Sequence, residues 1–546
     1  MARTRSYTKH NQRKKTIEED ANEKILHELQ PSQVRENSWV FSLPGICCVS
    51  SSIIFAILAK ERFVSPLSNL YKENPMNQCG LVMANSTLPN SGWGMFPLHP
   101  LESGQPVSFG DPVIQVPDIT GKQGPSISYL LHNYMWSGDV TGGIHEGHVV
   151  YSVLPGVGSL ANGHPHQWNM VMGSTEYDNA GVKRGISQGA GAFTHYHDFK
   201  FHAHARIEGG QELMVNYGRG WLDKISHDDL GRNTKRPIDW LRSNGICLDH
   251  IRPSISEIPH AGRGAFATRS LPQGTVVAPI PLLPIKSRDA LQRTDGTWQL
   301  LLNYCYSHPQ SSLLLVPYAP VVNLVNHGSK GDANVRIQWS TSTLFSGAHL
   351  LTQRNIFESN PAGLLMELVA IKDLKEGDEI LLDYGEAWQA AWDHQTKDFI
   401  PFETDYEYAN ESNRQFHFLK TSDELLVEKY PSNLRTTCYY KFESTDEAGP
   451  INWIPPQLQF QNLFPCTILQ RFEVNNTYTV LIQNPESKLN TVKIPDAHVV
   501  QNVPRYAIRL DDKMRSSDQN LKQAFRHEIH IPDDIFPISW RDLDGM

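Results

Sequence analysis

Short runs of alternating apolar and polar residues dominate the chain after about residue 90. Runs such as Thr275–Val277, Asn334–Trp339 and Glu379–Leu382 are separated by turns rich in glycine, proline and asparagine. A period of two is typical of strands that bury one face. Helical periodicity is confined to patches such as Asp289–Leu302, so the pattern predicts a mostly β fold with some α structure.

The N-terminal region has a different pattern. Residues 1–38 are polar and charged, which predicts disorder. Residues 39–59 carry no charge, and this length of 21 residues matches the roughly 20 that a bilayer-spanning helix needs. We interpret the run as a single-pass transmembrane helix in an unidentified membrane, with a buried helix as the alternative. A cleaved signal peptide fits less well, because the polar leader is long and no small-x-small site follows.

The chain also repeats itself. Three pairs of segments match in the same order: Gly92–Pro97 with Gly262–Ala267, Leu130–Tyr134 with Leu300–Tyr304, and Gly210–Trp221 with Gly377–Trp388. The members of these pairs lie 170, 170 and 167 residues apart, and Asn162 precedes Asn326 by 164. Matches that stay in order with so little drift indicate a duplicated domain.

Composition excludes some classes of protein. The 546 residues carry a net charge of −9 and give a pI near 6.2, which argues against direct nucleic acid binding. Seven cysteines are scattered without a Cys-x-x-Cys pair. The sequence therefore predicts neither a disulfide framework nor a cysteine zinc site.

These patterns divide the chain into nine regions. They are a disordered N-terminus (1–38), the transmembrane helix (39–59), a connector (60–90), the first repeat (91–222), a linker (223–254), the second repeat (255–392), a helical closing segment (393–452), a small β module (453–505) and a C-terminal tail (506–546).

The small β module is predicted from a hairpin. Pro465–Leu469 and Tyr478–Ile482 alternate on either side of an Asn-Asn turn, and the module resembles a Tudor-like barrel. Four aromatic residues either line a methyl-lysine cage or form the core of the barrel: Phe464, Phe472, Tyr478 and Tyr506.

Three motifs of the second repeat carry a family resemblance. They are the Gly-x-Gly-x-Phe segment Gly262–Val277, the pair Asn326-His327, and the closing segment Gly377–Tyr384. In this order they resemble the SET-domain family of protein-lysine methyltransferases, and the first repeat resembles it more weakly. The resemblance implies two SET-like β-clip domains in tandem.

The same resemblance implies a site. The methyl donor is S-adenosylmethionine, and the substrate is a lysine of an unidentified protein, histone or non-histone. Tyr384 is the implied catalytic residue. The implied donor-binding residues are Gly262, Arg263, Gly264, Asn326 and His327. The implied residues of the substrate channel are Tyr304 and Tyr306.

Chemistry gives reasons for these residue types. Methyl transfer to an amine is an in-line displacement, so positioning dominates the rate. The glycines of Gly262–Gly264 let backbone approach a ligand, and the Asn326 amide both donates and accepts. Plain turns are the alternatives for both motifs. The Tyr384 phenol can orient the amine, and a dry channel favours the neutral amine. Tyr304 and Tyr306 either wall that channel or belong to the core.

The second repeat departs from the family pattern in two ways. Gly328 follows the Asn-His pair where the family has serine. No cysteine-rich zinc segment flanks the domain, so no metal ligand is carried over from the family. Residues 393–440 are then expected to close the substrate channel.

The first repeat departs further. Gly163 stands where the second repeat has histidine, and Asn216 where it has aspartate, although Tyr217 remains. We therefore expect a structural or regulatory role for this repeat. It also carries histidines that can chelate zinc or copper, or else are ordinary surface or hydrogen-bonded residues: His195, His197, His202 and His204.

The leading hypothesis is a membrane-anchored tandem SET protein. Its second repeat is interpreted as an S-adenosylmethionine-dependent protein-lysine methyltransferase. The alternative is a catalytically inactive SET-type protein that binds peptides or serves as a scaffold.

Overall fold

The computed structural model of the chain describes eighteen stretches. They are residues 79–116, 133–137, 144–145, 148–149, 151–174, 195–218, 234–259, 261–293, 296–344, 347, 363–397, 407, 409–432, 434–442, 449–458, 462–483, 497–512 and 525–541. The disorder predicted for residues 1–38 and the transmembrane helix predicted for residues 39–59 fall outside these stretches.

Each repeat begins with an antiparallel hairpin. Leu81–Asn85 pairs with Trp93–Pro97, and Ile251–Ile255 pairs with Arg263–Ala267 in the corresponding register. The strand at Leu81–Asn85 belongs to the first hairpin, so the first repeat begins about ten residues earlier than predicted. The pattern missed this strand because its residues are almost all buried and therefore do not alternate.

Six sheets contain all the described strands. In hydrogen-bonded order, the three sheets of the first repeat have the strands Ile246–Cys247, Leu81–Asn85, Trp93–Pro97; then Met135–Trp136, Tyr151–Val153, Asp111–Val116, His195–Ala203, Met170–Ser174; and then Met214–Val215, Asn162–Gly163. The two sheets of the second repeat have the strands Ile251–Ile255, Arg263–Ala267; and Asn326–His327, Leu381–Leu382, Val335–Trp339, Leu364–Ala370, Val276–Ile285, Leu314–Pro317, Tyr306–Ser307, Ile529–His530. The sheet of the C-terminal module has the strands Ile451–Asn452, Ala497–Pro504, Thr477–Gln483, Leu463–Phe472, Leu434–Tyr439, Ile508–Asp512, Ile144–His145, His148–Val149.

Helices are few and short in the part of the chain that the structure describes. The α-helices are Val157–Leu160, Ile238–Asn244, Glu386–Lys397, Ala409–Gln415 and Ser422–Val427, and the 3-10 helices are Arg288–Leu291, Leu300–Tyr304, Val322–Leu324, Arg505–Ala507 and Ile538–Trp540. The prediction of a mostly β fold with some helix is confirmed. Within the described stretches, no helix is both long and apolar enough to cross a membrane.

A carboxylate ties together the motifs of the second repeat. Glu379 Oε1 accepts hydrogen bonds from Ser256 Oγ at 2.6 Å and from Asn326 Nδ2 at 3.1 Å, and its Oε2 accepts the Glu257 N–H at 2.9 Å. A Cβ at Gly264 would lie 2.3 Å from Glu379 Oε1. The carboxylate therefore explains both the glycine and the asparagine of the motifs.

The first repeat contains the same network. Glu212 Oε1 accepts from Ser86 Oγ at 2.7 Å and from Asn162 Nδ2 at 2.9 Å, and Oε2 accepts the Thr87 N–H at 2.6 Å. A Cβ at Gly94 would again lie 2.3 Å from the carboxylate. The two repeats thus match in their contacts as well as in their sequence.

The second asparagine of each repeat is also bound alike. The Asn334 Nδ2 donates to the Glu379 carbonyl at 2.7 Å, and its Oδ1 accepts the Leu381 N–H at 2.8 Å. Asn169 makes the corresponding two bonds in the first repeat. Side-chain amides are suited to this bridging because they donate and accept at one end.

One hydrophobic core spans both repeats. Met95 and Phe199 of the first repeat belong to the same buried cluster as Leu301 and Val316 of the second. The indole N–H of Trp93 donates to the Leu344 carbonyl at 3.2 Å. Because the apolar faces of the repeats cover each other, neither face is buried by its own repeat alone.

The C-terminal β module differs from the prediction at both ends. It begins at Leu434–Tyr439 and ends at Ile508–Asp512, beyond the predicted limits of residues 453 and 505. Among the described strands, the first and last of its sheet do not pair, so these strands form a sheet rather than a closed barrel. The C-terminal Ile529–His530 joins the sheet of the second repeat, beside Tyr306–Ser307.

The four aromatic residues proposed for a cage have separate environments. Tyr478 is fully buried, whereas Tyr506 is 63% exposed. The ring of Phe464 packs on Phe442 and that of Tyr506 on Trp453. For Tyr478 the core alternative is the one that the structure favours.

Two disulfides correct the expectation drawn from cysteine spacing. Cys79 is bonded to Cys247 and Cys438 to Cys466, across 168 and 28 residues. The first pair meets because Val82 lies opposite Cys247 in the sheet. Spacing rules detect ligands that are near in sequence and cannot detect pairs that a distant strand register brings together.

We predict that Glu379→Ala and Glu212→Ala each lower the free energy of unfolding by roughly 2–4 kcal/mol, because several donors, most of them at least half-buried, lose their acceptor. Urea unfolding followed by tryptophan fluorescence measures the effect. Glu376→Ala removes an exposed carboxylate nearby and should leave the midpoint almost unchanged. Equal midpoints for all three variants would contradict the role of the network.

Candidate active site

A cavity of about 630 Å³ lies in the second repeat, within the size range of small-molecule sites. It is lined by six of the eight residues predicted from the sequence: Arg263, Asn326, His327, Tyr304, Tyr306 and Tyr384. The other two, Gly262 and Gly264, flank Arg263 in the chain. The structure therefore brings the predicted site residues together.

Tyr384 is buried at the wall of the cavity. Its hydroxyl donates a hydrogen bond to the Val325 carbonyl. Burial, reinforced by the nearby Tyr306 and Tyr304, raises the pKa of the Tyr384 phenol well above its usual value. The phenol therefore stays protonated at neutral pH, and its oxygen can accept a hydrogen bond while its proton is held by the carbonyl.

His327 is fixed on both ring nitrogens. Its Nδ1 accepts the Tyr384 N–H at 3.0 Å, and its Nε2 lies 2.6 Å from Gln389 Oε1. Since Nδ1 is the acceptor, Nε2 carries the proton and donates it to the glutamine. The ring lies 4.7 Å from that of Trp388, so the histidine orients the closing strand and the helix that follows it.

The amide nitrogen of Asn326 holds segments of the fold together by hydrogen bonds. Besides Glu379, Nδ2 donates to the Arg263 carbonyl at 2.7 Å and to Ser256 Oγ at 3.1 Å. In the first repeat Asn162 makes the equivalent bonds to the Trp93 carbonyl and to Ser86. The sequence reasoning assigned this amide to a ligand, and the geometry gives it a structural task.

The Gly-x-Gly motif has a similar explanation. Gly262 has φ 71°, a left-handed conformation that glycine adopts without steric cost. Gly264 is required by the nearby carboxylate, as described above. Arg263 between them is buried and lines the cavity. The motif therefore shapes the hairpin whether or not a ligand is bound.

Aromatic rings form much of the cavity wall. Trp388 and Trp392 project from one side of the helix Glu386–Lys397, at the i, i+4 spacing of one helix face, and their rings stack at 5.5 Å. Phe525 packs edge-on against both, at 5.3 and 5.2 Å. With Tyr304 and Tyr306, which also line the cavity, these rings offer faces to a flat or cationic ligand.

A C-terminal segment lines the cavity, whereas the described residues of 393–440, which were expected to close it, contribute no lining residue. Phe525 and Ile529 line the cavity. Asn303 holds this segment, since its Nδ2 donates to the Phe525 carbonyl at 2.9 Å and its Oδ1 accepts the His527 N–H at 2.9 Å. His530 N donates to the Tyr384 carbonyl at 3.0 Å. No local sequence signal indicates that residues about 140 positions away return to the site.

Asn323 is a further cavity residue that the sequence reasoning missed. Both polar atoms of its amide are buried without a hydrogen-bond partner in the described structure. A buried amide left in this way costs free energy unless something binds it. Together with the aromatic walls, it makes the cavity fit a ligand that has both apolar and polar parts, as S-adenosylmethionine has.

In the first repeat a tyrosine ring fills the corresponding point. A Cβ at Gly163 would lie 2.4 Å from the ring of Tyr217, so the ring leaves no room for a side chain such as that of His327. The Tyr217 hydroxyl donates to the Ala161 carbonyl, and Trp136 packs edge-on against the ring. Asn216 still caps the following turn by accepting the Gly218 N–H.

The histidines of the first repeat stay without a described ligand role. His195–Ala203 is a strand in the sheet, but the side chains of His195 and His197 fall outside the described residues. His202 is half-buried, and burial lowers its pKa. In the described residues the group with metal-ligand spacing is Cys79, Cys247 and Asp249, whose two sulfurs are joined as a disulfide.

Comparison with known proteins identifies a domain. Residues 262–385 match the family model of the SET domain, so the chain contains a SET domain at the position of the cavity. No curated protein matches the chain.

Several solved structures are similar over part of the chain. A protein from Plasmodium falciparum described as a histone methyltransferase is 18% identical, with a TM-score of 0.18, over 26% of this chain and 96% of its own. The polycomb repressive complex 2 of Chaetomium thermophilum is 18% identical, with a TM-score of 0.19, over 25% of this chain and 15% of its own. CpSET8 from Cryptosporidium is 17% identical, with a TM-score of 0.18, over 25% of this chain and 59% of its own. The chain thus spans only part of the length of the last two proteins, and TM-scores this low do not indicate a shared activity.

We predict that Asn326→Ala and Asn162→Ala both lower the free energy of unfolding by roughly 1–3 kcal/mol, because each removes a hydrogen-bond donor from a carboxylate that is half-buried in Glu379 and buried in Glu212. Asn326→Ala should in addition weaken the binding of S-adenosylhomocysteine, measured by calorimetry, whereas Asn162→Ala should bind it as the wild type does. Full stability of Asn326→Ala would show that its amide is not structural.

Proposed function

We propose that the chain is an S-adenosylmethionine-dependent protein-lysine N-methyltransferase whose activity belongs to the second repeat. The SET domain at residues 262–385 supports a methyltransferase of this type. The observation that carries the proposal is the cavity, because Tyr384, His327 and the two channel tyrosines line it together. The substrate is a lysine of an unidentified protein, histone or non-histone.

The residues of the cavity fit the methyl donor. Arg263, Asn323, Asn326 and His327 would hold it, with Trp388 and its neighbouring rings beside its flat part. Bound there, S-adenosylmethionine supplies an electrophilic methyl group on a sulfonium sulfur. The aromatic walls exclude water from the cavity and stabilise positive charge through their ring faces.

Tyr384 is the proposed catalytic residue. Its proton is held by the Val325 carbonyl, so its oxygen accepts an N–H of the substrate amine and turns the amine lone pair toward the methyl group. Because burial raises its pKa, the phenol is not a base at neutral pH. The lysine must lose its proton before it is fully enclosed, and the apolar walls favour that neutral form.

The first repeat is proposed to be a second SET-like unit without activity. It retains the carboxylate network around Glu212 and has lost the histidine position to the ring of Tyr217. Its apolar face covers the core of the second repeat. We therefore assign it a structural role for the active repeat.

We also propose that residues 39–59 anchor the chain in a membrane. The support is the length of the uncharged run, which is sufficient to span a bilayer. The anchor is separate from the catalytic proposal, since either can hold without the other.

We predict that Tyr384→Phe reduces methyl transfer by roughly 10²-fold or more with little loss of donor affinity, because the hydroxyl acts on the amine in the transition state. Radiolabelled methyl donor and a panel of protein substrates measure turnover, and calorimetry measures binding. Tyr217→Phe is the matched control and should keep both turnover and donor affinity, with one donor site per chain. Full turnover in Tyr384→Phe, or two donor sites, would contradict the assignment. Donor or peptide binding without turnover in the wild type would favour the scaffold alternative.

We predict that the full chain sediments with membranes and resists carbonate extraction, whereas a chain that starts at Lys60 is released. The apolar run is the only difference that matters between the two, because the leader before it is polar. Release of the full chain by carbonate would reject the anchor.

A further inference from the structure

We infer that the described part of the chain folds in an oxidising compartment and carries N-linked glycans at Asn85 and Asn475. Two independent features support this inference: the pairing of the cysteines and the exposure of two glycosylation sequons. It does not rest on the proposed catalytic function, nor on the membrane anchor.

The cysteines are arranged as in proteins that fold under oxidising conditions. Five cysteines lie in the described residues, and four of them form the pairs Cys79–Cys247 and Cys438–Cys466. The Cα atoms of the pairs are 5.9 and 5.8 Å apart, within the range for disulfides. Stable disulfides are rare where glutathione and thioredoxin keep thiols reduced.

The fifth cysteine fits the same setting. Cys305 is fully buried, and burial raises the pKa of its thiol. It is therefore a poor nucleophile and does not compete in disulfide exchange. The described part of the chain exposes no reactive thiol.

The bridges lie on elements of different parts of the fold. Cys79–Cys247 joins the start of the first repeat to the strand after the helix Ile238–Asn244, and so encloses the whole first repeat in one covalent loop. Cys438–Cys466 joins two neighbouring strands of the C-terminal module. In the chain-entropy account, closing the loop of 168 residues stabilises the fold more than closing the loop of 28 residues does.

Each bridge requires an electron acceptor. Two thiols lose two protons and pass two electrons to the disulfide of a thiol–disulfide exchange partner, which leaves as a dithiol. Compartments that hold such oxidants are also those in which asparagine is glycosylated in eukaryotes. The cysteines and the sequons therefore point to one location.

Asn475 is the more accessible of the two sequons. The sequence Asn475-Asn476-Thr477 lies in the turn between two long strands of the C-terminal module. Asn475 is exposed, and the preceding Val474 is 98% exposed. A glycan at this tip would extend into solvent without displacing any packed side chain.

Asn85 forms the second sequon, Asn85-Ser86-Thr87. It ends the strand Leu81–Asn85 and its side chain is exposed. The hydroxyl of Thr87, which the sequon needs, bonds to Glu212 in the folded protein. Transfer at Asn85 must therefore precede the closing of the Glu212 network, as it does when a chain is glycosylated while it is being synthesised.

The transfer itself is a substitution at carbon. The Asn amide nitrogen forms a bond to C1 of the oligosaccharide and loses a proton, and the lipid-linked diphosphate leaves. The co-reactant is thus a lipid-diphosphate-linked oligosaccharide. A third sequon at Asn410 lies in the helix Ala409–Gln415, but the side chain of Asn410 is outside the described residues and supports nothing here.

The test uses the full chain produced in a eukaryotic host, treated with peptide-N-glycosidase and compared on gels. We expect the glycosidase to increase the mobility of the wild type, with one step of the shift lost in Asn85→Gln and another in Asn475→Gln. Thr477→Val should abolish the same step as Asn475→Gln, whereas Thr477→Ser keeps the sequon and should keep the step. This last pair separates glycosylation from a general effect of changing the turn.

Thiol labelling during lysis tests the compartment separately. A maleimide that is present while the cells are lysed in denaturant, followed by mass spectrometry, should label Cys305 and leave Cys79, Cys247, Cys438 and Cys466 unlabelled until the protein is reduced. Labelling of all four cysteines without reduction overturns the inference. So does a mobility that the glycosidase leaves unchanged.

Discussion

One carboxylate in each repeat holds together motifs that are far apart in the sequence. Glu379 is hydrogen-bonded to the turn at Ser256 and to Asn326, and it leaves room only for glycine at position 264. The bonds join the opening hairpin to the strand that carries the Asn-His pair. The cavity depends on this arrangement, because its floor is made by the hairpin and its wall by the strand. A carboxylate suits the task because it accepts several hydrogen bonds at once and strengthens each of them.

The same interaction explains why the repeat was visible in the sequence. Gly94, Asn162 and Glu212 serve the fold of the first repeat, and the second repeat has their counterparts. Roles are harder to infer than positions. A glycine that avoids a carboxylate and a glycine that admits a ligand look alike in a sequence. Six of the predicted residues line one cavity, while Gly264 and Asn326 also have structural reasons that the sequence did not indicate.

The contacts that could not be predicted from the sequence join residues that are far apart in the chain. The aromatic residue Phe525 reaches the cavity from the far end of the chain, and Cys79 meets Cys247 through the register of a sheet. Neither has a local pattern, because each contact depends on the assembled fold. The start of the first repeat was missed for a related reason, since a strand buried on both faces does not alternate. Periodicity was sufficient to predict that the fold is mostly β with few helices, whereas the residues that come to the cavity from the far end of the chain could not be predicted from it.

Two polar side chains of the cavity, Tyr384 and His327, lie among aromatic rings. Tyr384 donates to a carbonyl and keeps its oxygen for another partner, while His327 is held by backbone on one side and by Gln389 on the other. Both side chains are therefore fixed before any ligand arrives, and the free energy of ordering them is part of folding. The surrounding rings limit access of water and strengthen these polar contacts.

The packing of Tyr217 over Gly163 leaves no space at the point that corresponds to His327 of the second repeat. Any side chain added at position 163 meets the tyrosine ring at once, since even its Cβ would be 2.4 Å away. The ring in turn is held by the Ala161 carbonyl and by Trp136. A Gly163→His change alone would therefore destabilise the protein without opening a pocket. For protein engineering this fixes an order of changes: the ring at position 217 has to be made smaller before a side chain is added at position 163.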